Sequence, residues 1–184
     1  MLKTAPRPLT VHDYREMPEG PPFYQLIEGE LEMSPSPNRE HQDILTNIFS
    51  AFVRYLDKHS DGRVYVAPLD VYLTDLNVYQ PDLVFVSKGR KSILTNQGAE
   101  GAPDLVVEIL SPRTAKLDRG VKRDMYARTG VQELWIVDPE RQQVEVYDLP
   151  KNADAPAATY TKRQNLKSGI LPKLSIPVAK IFDV

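Results

Sequence analysis

Two short apolar runs constrain the fold of this 184-residue chain more than any other feature. Residues 80–86 and 104–111 are rich in β-branched side chains and nearly continuous in hydrophobicity. Such runs are typical of strands covered on both faces, as in the centre of a mixed or parallel sheet. The second run nevertheless contains Glu108. An unpaired, ionised carboxylate in apolar surroundings is costly, so Glu108 requires a metal ion, a lysine or arginine, or water as compensation.

Composition limits the classes of protein that remain. A chain with 41% hydrophobic and 26% charged residues suits one globular domain, which we expect to span residues 1–184. The lack of cysteine excludes disulfides, thiolate metal sites and cysteine nucleophiles. No signal peptide or membrane-length apolar run is present, so we expect a cytoplasmic protein without membrane contact. A net charge of -2 requires any nucleic-acid binding to rest on a local patch.

Hydrophobic periodicity predicts the elements around the two runs. An apolar stripe predicts a long helix over residues 37–59, and spacing of four predicts a second helix over residues 114–129 that ends at Gly130. Hairpins are predicted at residues 23–34 and 133–147, and strands at residues 63–67 and 69–74. We predict a loop at residues 87–103, a linker-like stretch at residues 151–158, and a tail at residues 176–182 that packs back onto the domain. The fold class is therefore α/β, with a mixed central sheet flanked by helices.

The two apolar runs each place a carboxylate near one end. Alternate residues of a strand share a face, so Glu108 points the same way as Val106 and Leu110. If the run beginning near Asp82 is the neighbouring strand, both carboxylates converge on one edge of the sheet. Their repulsion would be relieved by Mg²⁺, which binds one or two carboxylates and keeps waters for substrate phosphates. The pattern favours metal-assisted hydrolysis of nucleic acid.

An ordered set of short segments resembles a known family. Pro81-Asp82, followed by Glu108 in an apolar strand, resembles the PD-(D/E)xK nuclease superfamily. The likeness, which runs from about Leu9 to Phe182, is to the Uma-type family of bacterial restriction-like endonucleases, and it rests on residues 24–31, 80–82, 101–112, 126–131 and 134–139. It implies a restriction-endonuclease-like fold and a DNA endonuclease that uses Mg²⁺ or Mn²⁺. We also expect a homo-oligomer, most simply a dimer.

The resemblance also implies roles for individual residues. The superfamily usually has a lysine two positions after the second acid, where this chain has Leu110. In the family the lysine is supplied from the following helix, where Lys122 stands. The expected catalytic residues are therefore Asp82, Glu108 and Lys122, with the metal held by Asp82, Glu108 and the Ile109 carbonyl. The hairpin lacks the family's usual acid at Gln25, which leaves Glu30 as a possible accessory acid, with His41 as a second accessory residue.

Each assignment has a simpler alternative. A Pro-Asp pair is often a turn device, and Glu108 could pair internally with an arginine. Lys122 could lie on a solvated helix face. His41, which begins the core-facing stripe of the long helix, could be a hydrogen-bonded structural histidine.

Basic residues cluster in the segment after Glu108. We expect four of them, Arg113, Lys116, Arg119 and Arg123, to hold the DNA backbone. The alternative is again a solvated helix face. Two rivals to the nuclease hypothesis remain: an inactive nuclease fold that binds nucleic acid, and a structural or dimerising domain in which Glu108 pairs internally.

Overall fold

Two six-stranded sheets and a small two-stranded sheet form the framework of the computed structural model, which describes residues 7–18 and 20–184. Most of the N-terminal residues on which the expectation of no signal peptide rests lie outside this range. The strands are β1 (Tyr24–Ile27), β2 (Glu30–Met33), β3 (Gly62–Val66), β4 (Val71–Thr74), β5 (Asn77–Tyr79), β6 (Leu83–Ser87), β7 (Leu94–Thr95), β8 (Gly98–Glu100), β9 (Leu105–Ile109), β10 (Glu133–Asp138), β11 (Gln143–Asp148), β12 (Ala158–Thr161), β13 (Asn165–Lys167) and β14 (Ser175–Pro177).

Helices are few. They are α1 (Val11–Arg15), α2 (Arg39–Leu56), α3 (Ala115–Leu117), α4 (Arg123–Thr129) and α5 (Val178–Ile181), with a 3-10 segment at Lys88–Ile93 and a π-helical turn at Asp118–Lys122. Both predicted hairpins are confirmed as β1–β2 and β10–β11. None of the helices in the described part of the chain has the length and apolar character needed to cross a membrane.

The central sheet has the strand order β12-β11-β10-β9-β6-β3. It is mixed, as predicted: β9 and β10 run parallel, whereas β6 and β9 run antiparallel. The two apolar runs of the sequence form β6 and β9, and Leu83 lies opposite Val107. The chain segments that carry Asp82 and Glu108 are therefore neighbours.

The core lies on both faces of the central sheet, as the continuous hydrophobicity of β6 and β9 requires. On one face, Leu105, Val107 and Ile109 pack with the apolar side of α2. On the other face, Val106 packs with Tyr126 of α4. This alternation confirms the predicted side of Glu108, which points to the face that α4 covers.

The second predicted helix, over residues 114–129, is interrupted. The backbone of Gly120 leaves the helical region (φ -114, ψ -109), and the segment divides into α3, the π-helical turn and α4. Glycine is a poor helix former, so an interruption costs least at this residue. We refer to residues 115–129 together as the helical segment.

The second six-stranded sheet was only partly anticipated. Its order is β2-β1-β5-β4-β8-β7. The predicted loop at residues 87–103 contains the 3-10 segment and the β7–β8 hairpin, and β8 pairs in parallel with β4. Strands of two or three residues are too short to show a recognisable periodicity, which explains why β5, β7 and β8 were missed.

The C-terminal tail packs back onto the domain, as predicted. Ile176, Val178 and Ile181 are buried against the α2 side of the core. A buried carboxylate joins this region to the sheet: Glu133 accepts hydrogen bonds from Trp135 Nε1 at 2.7 Å and from the backbone N–H of Gly169 at 2.6 Å. Burial raises the pKa of Glu133, and these hydrogen bonds act against that shift.

We expect Glu133→Ala to lower the free energy of unfolding by about 2–4 kcal/mol, because the donors of Trp135 and Gly169 are left without an acceptor. Urea denaturation followed by tryptophan fluorescence measures the change. Glu140→Ala, at an exposed position on the adjoining turn, is the control and should change stability by less than about 0.5 kcal/mol. Equal effects of the two substitutions would contradict this role for Glu133.

Candidate functional site

Asp82 and Glu108 lie side by side at one edge of the central sheet. Asp82 immediately precedes β6, and Glu108 is the last residue but one of the antiparallel strand β9. Asp82 Oδ2 accepts a hydrogen bond from the backbone N–H of Ile109 at 2.6 Å. The structure therefore brings together the three residues that the sequence indicated as metal ligands: Asp82, Glu108 and Ile109.

Lys122 is the compensating partner of Glu108. Its Nζ lies 2.6 Å from Glu108 Oε1 and 3.0 Å from Asp118 Oδ1, and its side chain is only 5% exposed. The same Nζ sits 5.8 Å from the centre of the Tyr79 ring. Lys122 is thus not a solvated helix residue, and the partner of Glu108 is a lysine rather than the arginine of the alternative interpretation.

The π-helical turn positions the lysine. Asp118 and Lys122 are four residues apart, and both are buried in spite of the charge they carry. Insertions of π-helical geometry into α-helices occur frequently at functional sites. Here the turn places a carboxylate and an ammonium group of the helical segment over the sheet edge at Glu108.

Tyr126 completes the contacts of Glu108. Its hydroxyl donates a hydrogen bond to Glu108 Oε1 at 2.5 Å. The same oxygen is the one that Lys122 Nζ contacts. Burial raises the pKa of Glu108, and Lys122 acts against this shift. Burial alone would lower the pKa of Lys122, but Asp118 and Glu108 outweigh it and raise that pKa above its ordinary value. Lys122 is therefore a cation at neutral pH.

His41 joins the site from α2. The helix begins just before it, where Asn38 Oδ1 accepts a hydrogen bond from the His41 backbone N–H at 2.8 Å. His41 Nε2 lies 3.2 Å from Asp82 Oδ1. Burial alone would lower its pKa, but Asp82 and Glu108 outweigh that effect and raise it. His41 Nδ1 is buried and has no hydrogen-bond partner within residues 7–18 and 20–184.

A cavity of about 130 Å³ reaches Lys122 from the surface. It lies between the β1–β2 hairpin and the helical segment, and Glu32, Arg113, Asp118 and Lys122 are among the residues that line it. The acid of the hairpin that lines this cavity is Glu32, whereas Glu30, which we expected as an accessory acid, does not line it.

Gln25, for which we expected no metal role, also lines the cavity. Its Oε1 accepts a hydrogen bond from the backbone N–H of Gln80 at 3.0 Å, and its Nε2 donates to Ser34 Oγ at 3.3 Å. Gln25 therefore ties the hairpin to the residues that lead into Asp82. This is a structural function that an amide performs well.

Sequence reasoning missed Asp118, Tyr126 and Glu32 as members of the site. A signal for the first two existed, because Asp118 and Tyr126 lie four residues before and after Lys122 and so share its side of a helix. Glu32 gave no such signal. It is one of several acids in the hairpin, and only the tertiary structure distinguishes it from Glu30.

The four basic residues expected to hold DNA differ in their exposure and in their acidic partners. Arg113 and Lys116 are exposed, and Arg113 lines the cavity beside Lys122. Arg119 pairs with Glu145 at 2.5 Å and Asp138 at 3.3 Å, so its charge is already neutralised within the protein. Arg113 and Lys116 are therefore better placed for phosphate contact than Arg119, whose contact with DNA stays a prediction.

Arg123, the fourth basic residue, also has acidic neighbours. Its guanidinium lies 3.0 Å from Asp124 and 3.8 Å from Asp154. The side chain is 18% exposed, and it approaches the Tyr147 ring at 6.0 Å. Arg123 is therefore a weaker candidate for a phosphate contact than Arg113 or Lys116.

The oxygen atoms at the sheet edge fit a hard divalent cation. Two carboxylates and a backbone carbonyl, from Asp82, Glu108 and Ile109, are the donor types that Mg²⁺ prefers, with water in the remaining positions. In the part of the chain that the structure describes, no group of three or more histidine, aspartate or glutamate side chains is arranged to hold a metal.

In the absence of metal, we expect substitution of Lys122 to destabilise the protein more than substitution of Glu108. Lys122→Met should lower the free energy of unfolding by about 3–5 kcal/mol, because it leaves Glu108 and Asp118 buried without a cation. Glu108→Gln should cost less, because Lys122 retains Asp118. Chemical denaturation in the presence of a chelator measures both. Lys116→Met, at an exposed position, is the control, and an equal or reversed order would contradict the network described above.

Comparison with known proteins adds to this geometry. Residues 11–179 match the family Uma2, described as "Putative restriction endonuclease". A crystal structure of a "putative nuclease belonging to DUF820" from Anabaena variabilis has a similar fold, with a TM-score of 0.77 and 22% sequence identity over 95% of this chain and 98% of that chain. At this identity the likeness concerns the fold, which is of the restriction-endonuclease-like type. No curated protein matches the chain.

Proposed function

This chain belongs to the Uma2 family of restriction-endonuclease-like proteins, and we propose that it is a nuclease that hydrolyses phosphodiester bonds of DNA with Mg²⁺ or Mn²⁺. The observation that carries the proposal is the position of Lys122 Nζ, 2.6 Å from Glu108 Oε1 at the sheet edge that also holds Asp82. The strand itself has Leu110 where the superfamily usually has its lysine. The helical segment would thus supply the missing cation to the same place.

In this proposal Asp82, Glu108 and the Ile109 carbonyl hold the metal. When bound, a divalent cation stabilises charge on the phosphate and lowers the pKa of its water. The protein's own contribution is to fix the ligands. The backbone N–H of Ile109 holds one oxygen of Asp82, and His41 approaches the other. The Tyr126 hydroxyl fixes Glu108 through Oε1.

Lys122 would act as a cation rather than as a base. Asp118 and Glu108 raise its pKa, so it keeps its proton at neutral pH. A protonated lysine can orient the attacking water by donating a hydrogen bond and can neutralise charge that develops on the phosphate. The surroundings of Lys122 support orientation of water and charge neutralisation, and they do not support deprotonation of water.

Two cations near the cavity beside Lys122 are available to a polyanionic substrate, although Glu32 and Asp118 also line this cavity. Arg113 lines it, and Lys116 is exposed on the same helical segment. Contacts from such side chains to phosphates position a nucleic acid without reading its sequence. The family's description as restriction endonucleases favours DNA over RNA as the substrate.

We expect Asp82→Asn and Glu108→Gln each to abolish the binding of Mn²⁺, because each removes one charged ligand of a site that has only two. Isothermal titration calorimetry of the purified chain measures the binding. Asp57→Asn, at an exposed position beyond the far end of α2, should bind Mn²⁺ as the unchanged protein does. Unchanged binding in either site variant would refute the shared site.

We expect Lys122→Met to reduce cleavage of plasmid DNA in Mg²⁺ by about 10²-fold or more while Mn²⁺ affinity is retained, because a charge-stabilising group is lost but the ligands remain. The assay belongs at a temperature where circular dichroism shows the variant folded. Adding Leu110→Lys to this variant returns a lysine to its usual place on the strand and should restore part of the activity. Full activity in Lys122→Met would remove the lysine from the mechanism.

These experiments also separate the nuclease from its two rivals. The contacts among Glu108, Lys122, Asp118 and Tyr126 satisfy Glu108 without a metal, which is what a structural domain would require. A structural domain would bind neither Mn²⁺ nor DNA. An inactive nuclease fold would bind DNA but would not cut it in Mg²⁺.

A further inference from the structure

Asp82 and Glu108 lie on the side of the central sheet where β9 ends. The ends of three further strands, β10, β11 and β12, lie along the same side. Ile109 at the end of β9 lies opposite Val137 of β10. The next residue, Asp138, lies opposite Gln143 of β11, which in turn lies opposite Thr161 of β12. The turn after β10 and the turn after β12 therefore project from the same edge as the proposed catalytic site.

These two turns form an open, basic cleft. It has a volume of about 420 Å³ and is lined by Arg141, Gln142, Thr161, Lys162 and Arg163, none of which is acidic. Three of the five side chains are cations. We call this surface the β12 shelf.

The cations of the β12 shelf are available to a ligand. Lys162 and Arg163 are exposed, and across the described ranges 7–18 and 20–184 neither forms an ion pair. Arg141 lies 3.9 Å from Asp138 but is 71% exposed. Asp138 also pairs with Arg119, so its charge is shared. Glu140 is an exposed acid on the same turn, and it does not line the cleft.

The distance between the β12 shelf and the site suits one continuous polyanion. Three strand intervals separate β9 from β12, which amounts to about 14 Å at the usual spacing between strands. Each strand of duplex DNA carries one phosphate per about 3.4 Å of helix axis, so about four base pairs would bridge this distance. A duplex that lies along the sheet edge would place a phosphate at Glu108 and others at the shelf.

We propose that Arg141, Lys162 and Arg163 form a second phosphate-binding surface that holds the backbone of duplex DNA about four base pairs from the bond that is cut. The inference rests on the proposed nuclease function, because it assumes that the substrate enters at Asp82 and Glu108. Arg119, which lies between the two places, has its charge neutralised by Glu145 and Asp138. The duplex would therefore be held at two separate points.

The test is the salt dependence of DNA binding by the double variant Lys162→Glu/Arg163→Glu. Fluorescence anisotropy with a labelled 30-base-pair duplex, in Ca²⁺ to prevent turnover, gives the affinity at each salt concentration. The slope of log affinity against log salt concentration should fall in magnitude by about 1.8, which is about 0.9 for each lost phosphate contact. Affinity at low salt should fall about tenfold or more.

A matched control has the same change of charge elsewhere. Arg54→Glu/Lys58→Glu alters two exposed cations at the opposite end of α2 from His41, and it should leave the slope unchanged. Binding of Mn²⁺, which depends on Asp82 and Glu108, should be normal in both double variants and shows that they are folded.

The results of this test distinguish failure of the β12 shelf from failure of the proposed nuclease function. In one outcome, the unchanged chain binds the duplex and both double variants have the same salt dependence of affinity as the unchanged chain. The β12 shelf is then refuted, and the proposed nuclease function stands. An equal loss of slope in the two variants would also refute the shelf, because the effect would then depend on total charge. If the unchanged chain does not bind the duplex at low salt, the proposed function is refuted together with the shelf.

Discussion

The contact between Lys122 and Glu108 is the interaction on which the rest of the site depends. A carboxylate in the middle of a doubly covered sheet would be prohibitively costly alone, and the ammonium group 2.6 Å away removes most of that cost. Lys122 in turn tolerates burial because Asp118 lies 3.0 Å from it. The interruption at Gly120, the π-helical turn and the packing of Tyr126 all serve to bring these groups to one place.

The same network explains why structural stability and catalysis are difficult to separate here. A nuclease needs two carboxylates and a cation around one phosphate, and a metal-free core needs each buried charge to be paired. In the proposed nuclease, Lys122 would satisfy both demands with one side chain. Its contact with Glu108 is therefore compatible with the proposed nuclease and with a structural domain, and the binding of metal is what distinguishes them.

Much of the fold and part of the site followed from the sequence. The hydrophobicity of two runs predicted central strands, and the presence of Glu108 in one of them indicated a site that requires a compensating partner. Lys122 was indicated only by the resemblance to a family, because its position in the sequence does not show which way a distorted helix faces. The ion pairs of Arg119 with Asp138 and Glu145 were not anticipated, because these partners come from a hairpin that follows it in the chain and such pairing leaves no local pattern. Strands β5, β7 and β8 were missed because two or three residues are too few to show a periodicity.

Because Lys122 lies on the helical segment, the site is complete only in conformations in which this segment contacts the sheet. A lysine two residues along the strand from Glu108 would accompany it in any state in which that strand had formed. Lys122 instead reaches Glu108 only after the helical segment has docked against the sheet. A chain that has paired β6 with β9 but has not yet completed this docking holds both acids and no cation. The full constellation therefore requires the helical segment to be docked, and a state in which that segment is detached would lack the cation beside Glu108.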